Sequence, residues 1–139
     1  MAKTIKTVRT LIERAERKGT AVIRKRGEYG MGYLYNSGVS DLQEVYRVEN
    51  DGKHVELYHY ETLTAKVDIE NNKIVSVYGE SRSDADSVET FLHELGVENV
   101  YFGFRPVNGG FYVEVNGKLF TWDKDGEKAM IDAINEAQK

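Results

Sequence analysis

The sequence predicts an α+β fold in which a sheet of antiparallel hairpins is packed by an N-terminal, a middle and a C-terminal helix. Three observations carry that expectation. Apolar residues recur at spacings of three and four in three separated stretches, the signature of amphipathic helices. Between them lie short segments rich in valine, isoleucine, threonine and tyrosine that alternate apolar and polar residues. Turn-forming Asn-Asp-Gly, Glu-Asn-Asn and Asn-Gly sequences separate those segments at hairpin spacing. The order helix, sheet, helix, hairpin, helix reads as one α+β domain over residues 1–139, without a linker, repeat or low-complexity tract.

The first helix is expected over Lys6 to Lys18, where Ile5, Val8, Ile12 and Ala15 share a face with Leu11 beside them. Thr4 is its candidate N-cap, Arg17 and Lys18 suit the negative end of the helix dipole, and Gly19 suits a left-handed cap. Strands are expected over 20–26 and 31–35, paired across Gly27-Glu28-Tyr29-Gly30, with a loop over 36–42. Three hairpins follow: 43–49 with 53–60, 62–69 with 73–78, and 111–115 with 118–122. In the second, Leu63, Ala65, Val67 and Ile69 face one way, and Thr64, Lys66 and Asp68 the other. The middle helix reads as Asp84 to Leu95, with Ser83 as N-cap, Asp86 three residues on in capping-box position, and Gly96 as its stop. The last helix reads as Gly126 to Ala137, begun by Asp123 or Asp125.

Composition narrows the function. The chain has 139 residues, no cysteine and a formal charge of −4. Without cysteine there is no disulfide, thiolate metal site or cysteine nucleophile, as suits a reducing, cytoplasmic setting. No stretch approaches the roughly 20 apolar residues of a membrane span. Residues 3–26 hold nine of the 19 Lys and Arg, a bias too slight to suggest nucleic acid as a partner. His54 and His59 fall on opposite faces of one strand, and His93-Glu94-Leu95-Gly96-Val97 lacks the two-histidine zinc pattern. Thr121 to Gly126 resembles a calcium loop only faintly, because the twelfth position would be Asp132 rather than glutamate. No metal, no cofactor and no catalytic constellation is expected, so the chain reads as a binding protein and not as an enzyme.

Three places carry candidate ligand contacts. Arg24 and Arg26 share a face of one strand and form a candidate phosphate clamp, or else edge charges that discourage aggregation. The stretch Tyr78-Gly79-Glu80-Ser81-Arg82-Ser83 leads from a strand into a helix N-terminus, where free amides and Arg82 suit an anion; Asp84 and Asp86 there favour plain capping. In Tyr101-Phe102-Gly103-Phe104-Arg105-Pro106, Tyr101 and Arg105 share a face, and Gly103 leaves a bare patch where a ring or a backbone can approach.

The stretch Leu57-Tyr58-His59-Tyr60-Glu61-Thr62, then Asp68, Val77-Tyr78-Gly79-Glu80-Ser81-Arg82-Ser83-Asp84-Ala85-Asp86 and Phe91-Leu92 resembles small bacteriophage proteins. In these a tyrosine-rich strand leads to Gly-Thr, and a second ends in Tyr-Gly-x-Ser before a Ser-Asp-rich helix start. The likeness covers about 40 residues and departs at Glu61, where the pattern has glycine. Within that class the chain resembles the anti-defence sponges that counter the Thoeris immune system, small α+β dimers that sequester a cyclic ADP-ribose-derived signal without cleaving it. The resemblance implies that Arg24, Tyr78 and Arg105 contact ligand phosphates or stack on its base, in the infected cell. The affinity a sponge needs predicts a homodimer or higher homo-oligomer with ligand pockets at or near the subunit interface. The alternative expectation is a protein-binding inhibitor of a bacterial defence or host enzyme, resembling anti-CRISPR proteins.

Overall fold

The computed structural model describes residues 2–26, 42–105 and 110–139, with the side chains of residues 2–7, 24–26, 42–43 and 123–125 outside that description. The expected strand 31–35, its turn at 27–30 and Pro106 to Gly109 lie outside the described residues. The elements are α1 (Ala2–Lys18), β1 (Thr20–Arg26), β2 (Leu42–Asn50), β3 (His54–His59), β4 (Thr62–Asp68) and β5 (Lys73–Val77). They continue as α2 (Arg82–Glu94), β6 (Val100–Arg105), β7 (Gly110–Val115), β8 (Lys118–Thr121) and α3 (Trp122–Ala137). The fold is α+β, with helices at the N-terminus, the middle and the C-terminus, and two antiparallel sheets in the orders β1-β2-β3-β4-β5 and β6-β7-β8.

The alternation read from the sequence becomes one dry face of the five-stranded sheet. Ala21, Val48, Leu57, Ala65 and Val77 stand opposite one another across five strands and are all buried. α1 covers this face with Val8, Leu11 and Ala15, and α2 covers it with Val88, Phe91 and Leu92. The other face is charged, with Glu49, Glu56 and Lys66 in register and Arg47 lying 4.1 Å over the Tyr58 ring. Buried residues of both sheets and all three helices form one hydrophobic cluster.

Side chains close two strand edges that would otherwise expose unpaired backbone. Asn135 of α3 accepts from Ile74 N–H at 2.7 Å and donates to Ile74 C=O at 3.1 Å, so its amide stands in for a neighbouring strand beside β5. The Trp122 indole N–H donates to Val77 C=O at 3.2 Å on the same strand. On β6, Glu89 accepts from Phe102 N–H at 2.7 Å and His93 Nε2 lies 2.8 Å from Val100 C=O.

Four local differences from the sequence reading have physical causes. Helix α1 begins at Ala2, which places Thr4 inside it instead of at its cap, since nothing in residues 2–5 breaks a helix. Gly19 does take the left-handed conformation, with φ 89° and its N–H bonded to Ala15 C=O at 2.7 Å. β3 and β4 are joined by a two-residue turn, Tyr60-Glu61, with φ 50° and 67°, although neither residue is the glycine or asparagine such a turn favours. A bulge at Thr64 interrupts β4, so Leu63 stands opposite Tyr58 on the open face while Ala65 and Val67 stay in the core. α3 is interrupted at Gly126 (φ 77°, ψ 158°), which divides a first turn at Trp122 from the expected helix 126–137.

Candidate functional site

The N-cap of the middle helix falls two residues before the expected one, and this shift builds the site. Ser81, not Ser83, is the N-cap; its Oγ accepts from Asp84 N–H at 3.1 Å. Both Ser81-x-x-Asp84 and Ser83-x-x-Asp86 satisfy the capping pattern. Tertiary contacts choose between them. Asp84 Oδ2 accepts from Glu80 N–H at 2.8 Å, and its Oδ1 lies 2.5 Å from Nδ1 of His59 at the end of β3.

His59 is buried, and its ring stacks on Tyr46 at 4.4 Å between centroids with 8° between planes. Tyr60 covers it from the turn at 4.5 Å. Burial works to raise the Asp84 pKa, but hydrogen bonds from His59, Glu80 N–H and Ser81, with the His59 charge, hold it below the usual carboxylate value. Burial is the largest influence pushing the Tyr46 phenol up; a hydrogen bond with Ser87 opposes it, while the nearby Asp84, Tyr60 and Asp86 add to it. Tyr46 therefore stays a neutral phenol behind the imidazole.

Two hollows open beside this cluster. One, of about 260 Å³, lies between the β3–β4 turn (Tyr60, Thr62), His59 and the start of α2 (Ser81, Ser83, Asp84). The other, of about 250 Å³, lies where the two sheets meet, between Gly79 at the exit of β5, Phe104 of β6, Gly110 and Phe111 of β7, and Trp122. Tyr78 and Glu80 line both. The Tyr78 ring meets Trp122 edge to face at 5.5 Å, and its hydroxyl donates to Glu80. Gly79 is required here, because a Cβ would stand 2.7 Å from the Phe111 ring. The cleft is thus walled by tyrosine, tryptophan and phenylalanine rings and edged by the Glu80 and Asp84 carboxylates. Among the described residues, no Lys or Arg lines either hollow.

Of the residues singled out from sequence, Tyr78 is the one that lines this cleft. Arg82 is exposed at the first residue of α2, just past Glu80 and Ser81. Tyr101 and Arg105 are exposed on β6, on the face of the three-stranded sheet opposite Phe104. The Arg105 guanidinium sits 4.8 Å over the Tyr112 ring. Tyr112 also fills the bare patch at Gly103, where an added Cβ would collide with it. Arg24 and Arg26 lie on β1, at the opposite edge of the five-stranded sheet from β5, and their side chains are outside the described residues. Neither Arg82 nor Arg105 is among the residues that line the cleft. Glu80 lies in the candidate stretch 78–83 and Asp84 reads there as a capping residue, while His59, Phe111 and Trp122 carry no ligand role in the sequence reading; the one available signal is Tyr-Gly-x-Ser running into a helix start.

The lining offers aromatic rings for stacking and carboxylate oxygens that accept hydrogen bonds. Groups of histidine, aspartate and glutamate placed to hold a metal are absent among the described residues. None of the described helices is long and apolar enough to cross a membrane. Architecture and site together define a two-sheet α+β protein with an aromatic, carboxylate-edged cleft at the seam between its sheets. No family model, curated protein or solved structure matches the chain.

Proposed function

We propose that this chain is a non-catalytic binding protein that captures a small ring-bearing signal molecule in the Tyr78 cleft and releases it unchanged. The ligand suggested by the sequence resemblance is a cyclic nucleotide derived from ADP-ribose, which would make the protein a phage immune-evasion sponge acting in the host cell. The single observation that supports this reading is the pair of adjoining hollows sharing Tyr78 and Glu80, of a size to take a ring on one side and its polar substituents on the other. Base–aromatic stacking contributes about 1–3 kcal/mol per ring. Hydrogen bonds from hydroxyls or amines to the two carboxylates add about 1.5–3 kcal/mol each. No described Lys or Arg lines the hollows, so phosphates would be met only by the Ser81 and Ser83 hydroxyls and the N-terminal turn of α2, and on this reading the ring and the sugar hydroxyls supply most of the affinity.

The test is uptake. Purified protein is incubated with cyclic ADP-ribose isomers, separated from free ligand and heated. Intact nucleotide recovered from the heated protein supports the reading; absence of uptake, or recovery of a cleaved product, removes it. Tyr78→Ala is expected to reduce uptake at least tenfold. Arg105→Ala distinguishes the cleft from the arginine clamp implied by the resemblance, since Arg105 lies on the opposite sheet face.

A second reading, a protein-binding inhibitor, is favoured by one feature. The outer face of the three-stranded sheet shows Tyr101 and Leu119, 58% and 42% exposed, on either side of Glu114. A second copy of the chain on that face would make the proposed homodimer. Sizing of the purified protein, alone and with candidate host enzymes, separates the two.

A further inference from the structure

The lining of the cleft bears on the charge of what it holds as well as on its shape. We infer that the cleft selects flat heterocycles carrying a positive charge over neutral and anionic rings of the same size; this rests on the proposal that the cleft is a binding site. Tyr78 and Trp122 meet edge to face, with 78° between their planes, and both line the hollow. Phe104 and Phe111 close the side toward the second sheet. Where an aromatic face borders the hollow, the negative side of its quadrupole attracts a cation and repels an anion.

The carboxylate of Glu80 acts in the same direction. It borders both hollows, and no described Lys or Arg lines either. Asp84 borders one hollow with its oxygens engaged by His59 and Glu80 N–H, so the open negative charge at the edge is that of the exposed Glu80. A ring with a quaternary nitrogen would therefore gain from the walls and the edge together. An anionic ring would be opposed by both.

The experiment uses the full-length chain labelled with 15N and three probes sharing one ring: 1-methylnicotinamide, nicotinamide and nicotinate, bearing positive, zero and negative charge. Trp122 is the sole tryptophan, so its indole N–H gives one assigned signal inside the site, read together with the Gly79 and Glu80 amides. The cation is expected to bind at least tenfold more tightly than the neutral ring, with the anion weakest. Glu80→Gln, a change at an exposed side chain, is expected to shrink that preference several-fold. Salt is expected to do the same, since the screening length falls from about 30 Å at about 0.01 M to about 3 Å at about 1 M. Equal affinities for the three probes, or tighter binding of nicotinate, overturn the charge selection while leaving the cleft a binding site. The absence of saturable shifts with any probe removes both.

Discussion

Replacing Asp84 by alanine tests whether one carboxylate holds the site together. The change removes the acceptor 2.5 Å from His59 Nδ1 and the acceptor 2.8 Å from Glu80 N–H, and takes a negative charge from the first turn of α2. Hydrogen bonds to a charged group are worth about 1.5–3 kcal/mol each, and a charge at a helix N-terminus about 0.3–1 kcal/mol. The side chains of Asp84 and His59 are 14% and 5% exposed, so solvent screens the pair little. The adjoining hollow lets water reach the vacated position and returns part of the loss. We expect a net destabilisation of about 3 kcal/mol, near the lower limit for breaking a buried ion pair. In a chain this long that lowers the melting temperature by roughly 10 °C. Thermal and urea denaturation of Asp84→Ala measure the loss, with Asp86→Ala as control. Asp86 occupies the same position in the alternative capping register, and its loss should cost no more than about 0.5 kcal/mol. If the two variants are equally stable, the His59–Asp84 contact does not set the helix register.

Three further predictions follow from the same geometry. Because the folded pKa of Asp84 is depressed, its stabilising effect is present above the unfolded value near 3.9 and disappears as pH falls through the lower folded value. Asp51 and Asp68 shift the same way, through hydrogen bonds from His54 N–H and from Asn71 respectively, so the measurement is the stability of wild type minus that of Asp84→Asn; the difference should shrink on acidification below about pH 4, and a constant difference refutes it. Asn135→Ala deletes both hydrogen bonds to Ile74 and bares the β5 edge, at a cost of about 2 kcal/mol in urea unfolding, with concentration-dependent association as a second readout. Glu61→Gly relieves a left-handed non-glycine residue and should stabilise the protein by roughly 1 kcal/mol; destabilisation would mean that the Glu61 side chain makes an offsetting contact.

The order and type of the elements were legible because their apolar residues repeat with periods near 3.6 and 2, and burial enforces those periods. Val8, Leu11 and Ala15 are buried on α1, and Phe111, Val113 and Val115 on β7, as their spacing implies. Illegible features were those settled by distant contacts. Overlapping Ser-x-x-Asp patterns give α2 two possible starts, and His59, 25 residues away, selects one. Tyr60-Glu61 turns in the left-handed region without the residues that advertise such a turn. The cleft suffered most, since one of the six highlighted residues lines it. Arginines draw attention in a sequence as anion partners, yet a long charged side chain is also what an exposed strand end tolerates. The aromatic walls looked like ordinary core residues because, on one side of each ring, they are.

That double role explains why the cleft lies at the seam. β5 cannot continue into the second sheet, because Asn135 and Trp122 of α3 occupy its edge. The chain must therefore leave the five-stranded sheet at Tyr78 and turn into α2, and the second sheet packs against that exit, not alongside the strand. Glycine at position 79 lets the Phe111 ring lie directly on the backbone, which brings the sheets together at one point. On either side of that point the surfaces diverge, leaving Tyr78 as a wall shared by two hollows and not as a filled core position. A methyl group at Gly79 would force Phe111 away and deform both hollows at once, although residue 79 offers no side chain to any ligand. Gly79→Ala should therefore abolish uptake of a ring-bearing ligand at a cost of about 1–3 kcal/mol in stability, as for an overpacked core. Normal uptake by that variant would place the binding site elsewhere on the molecule.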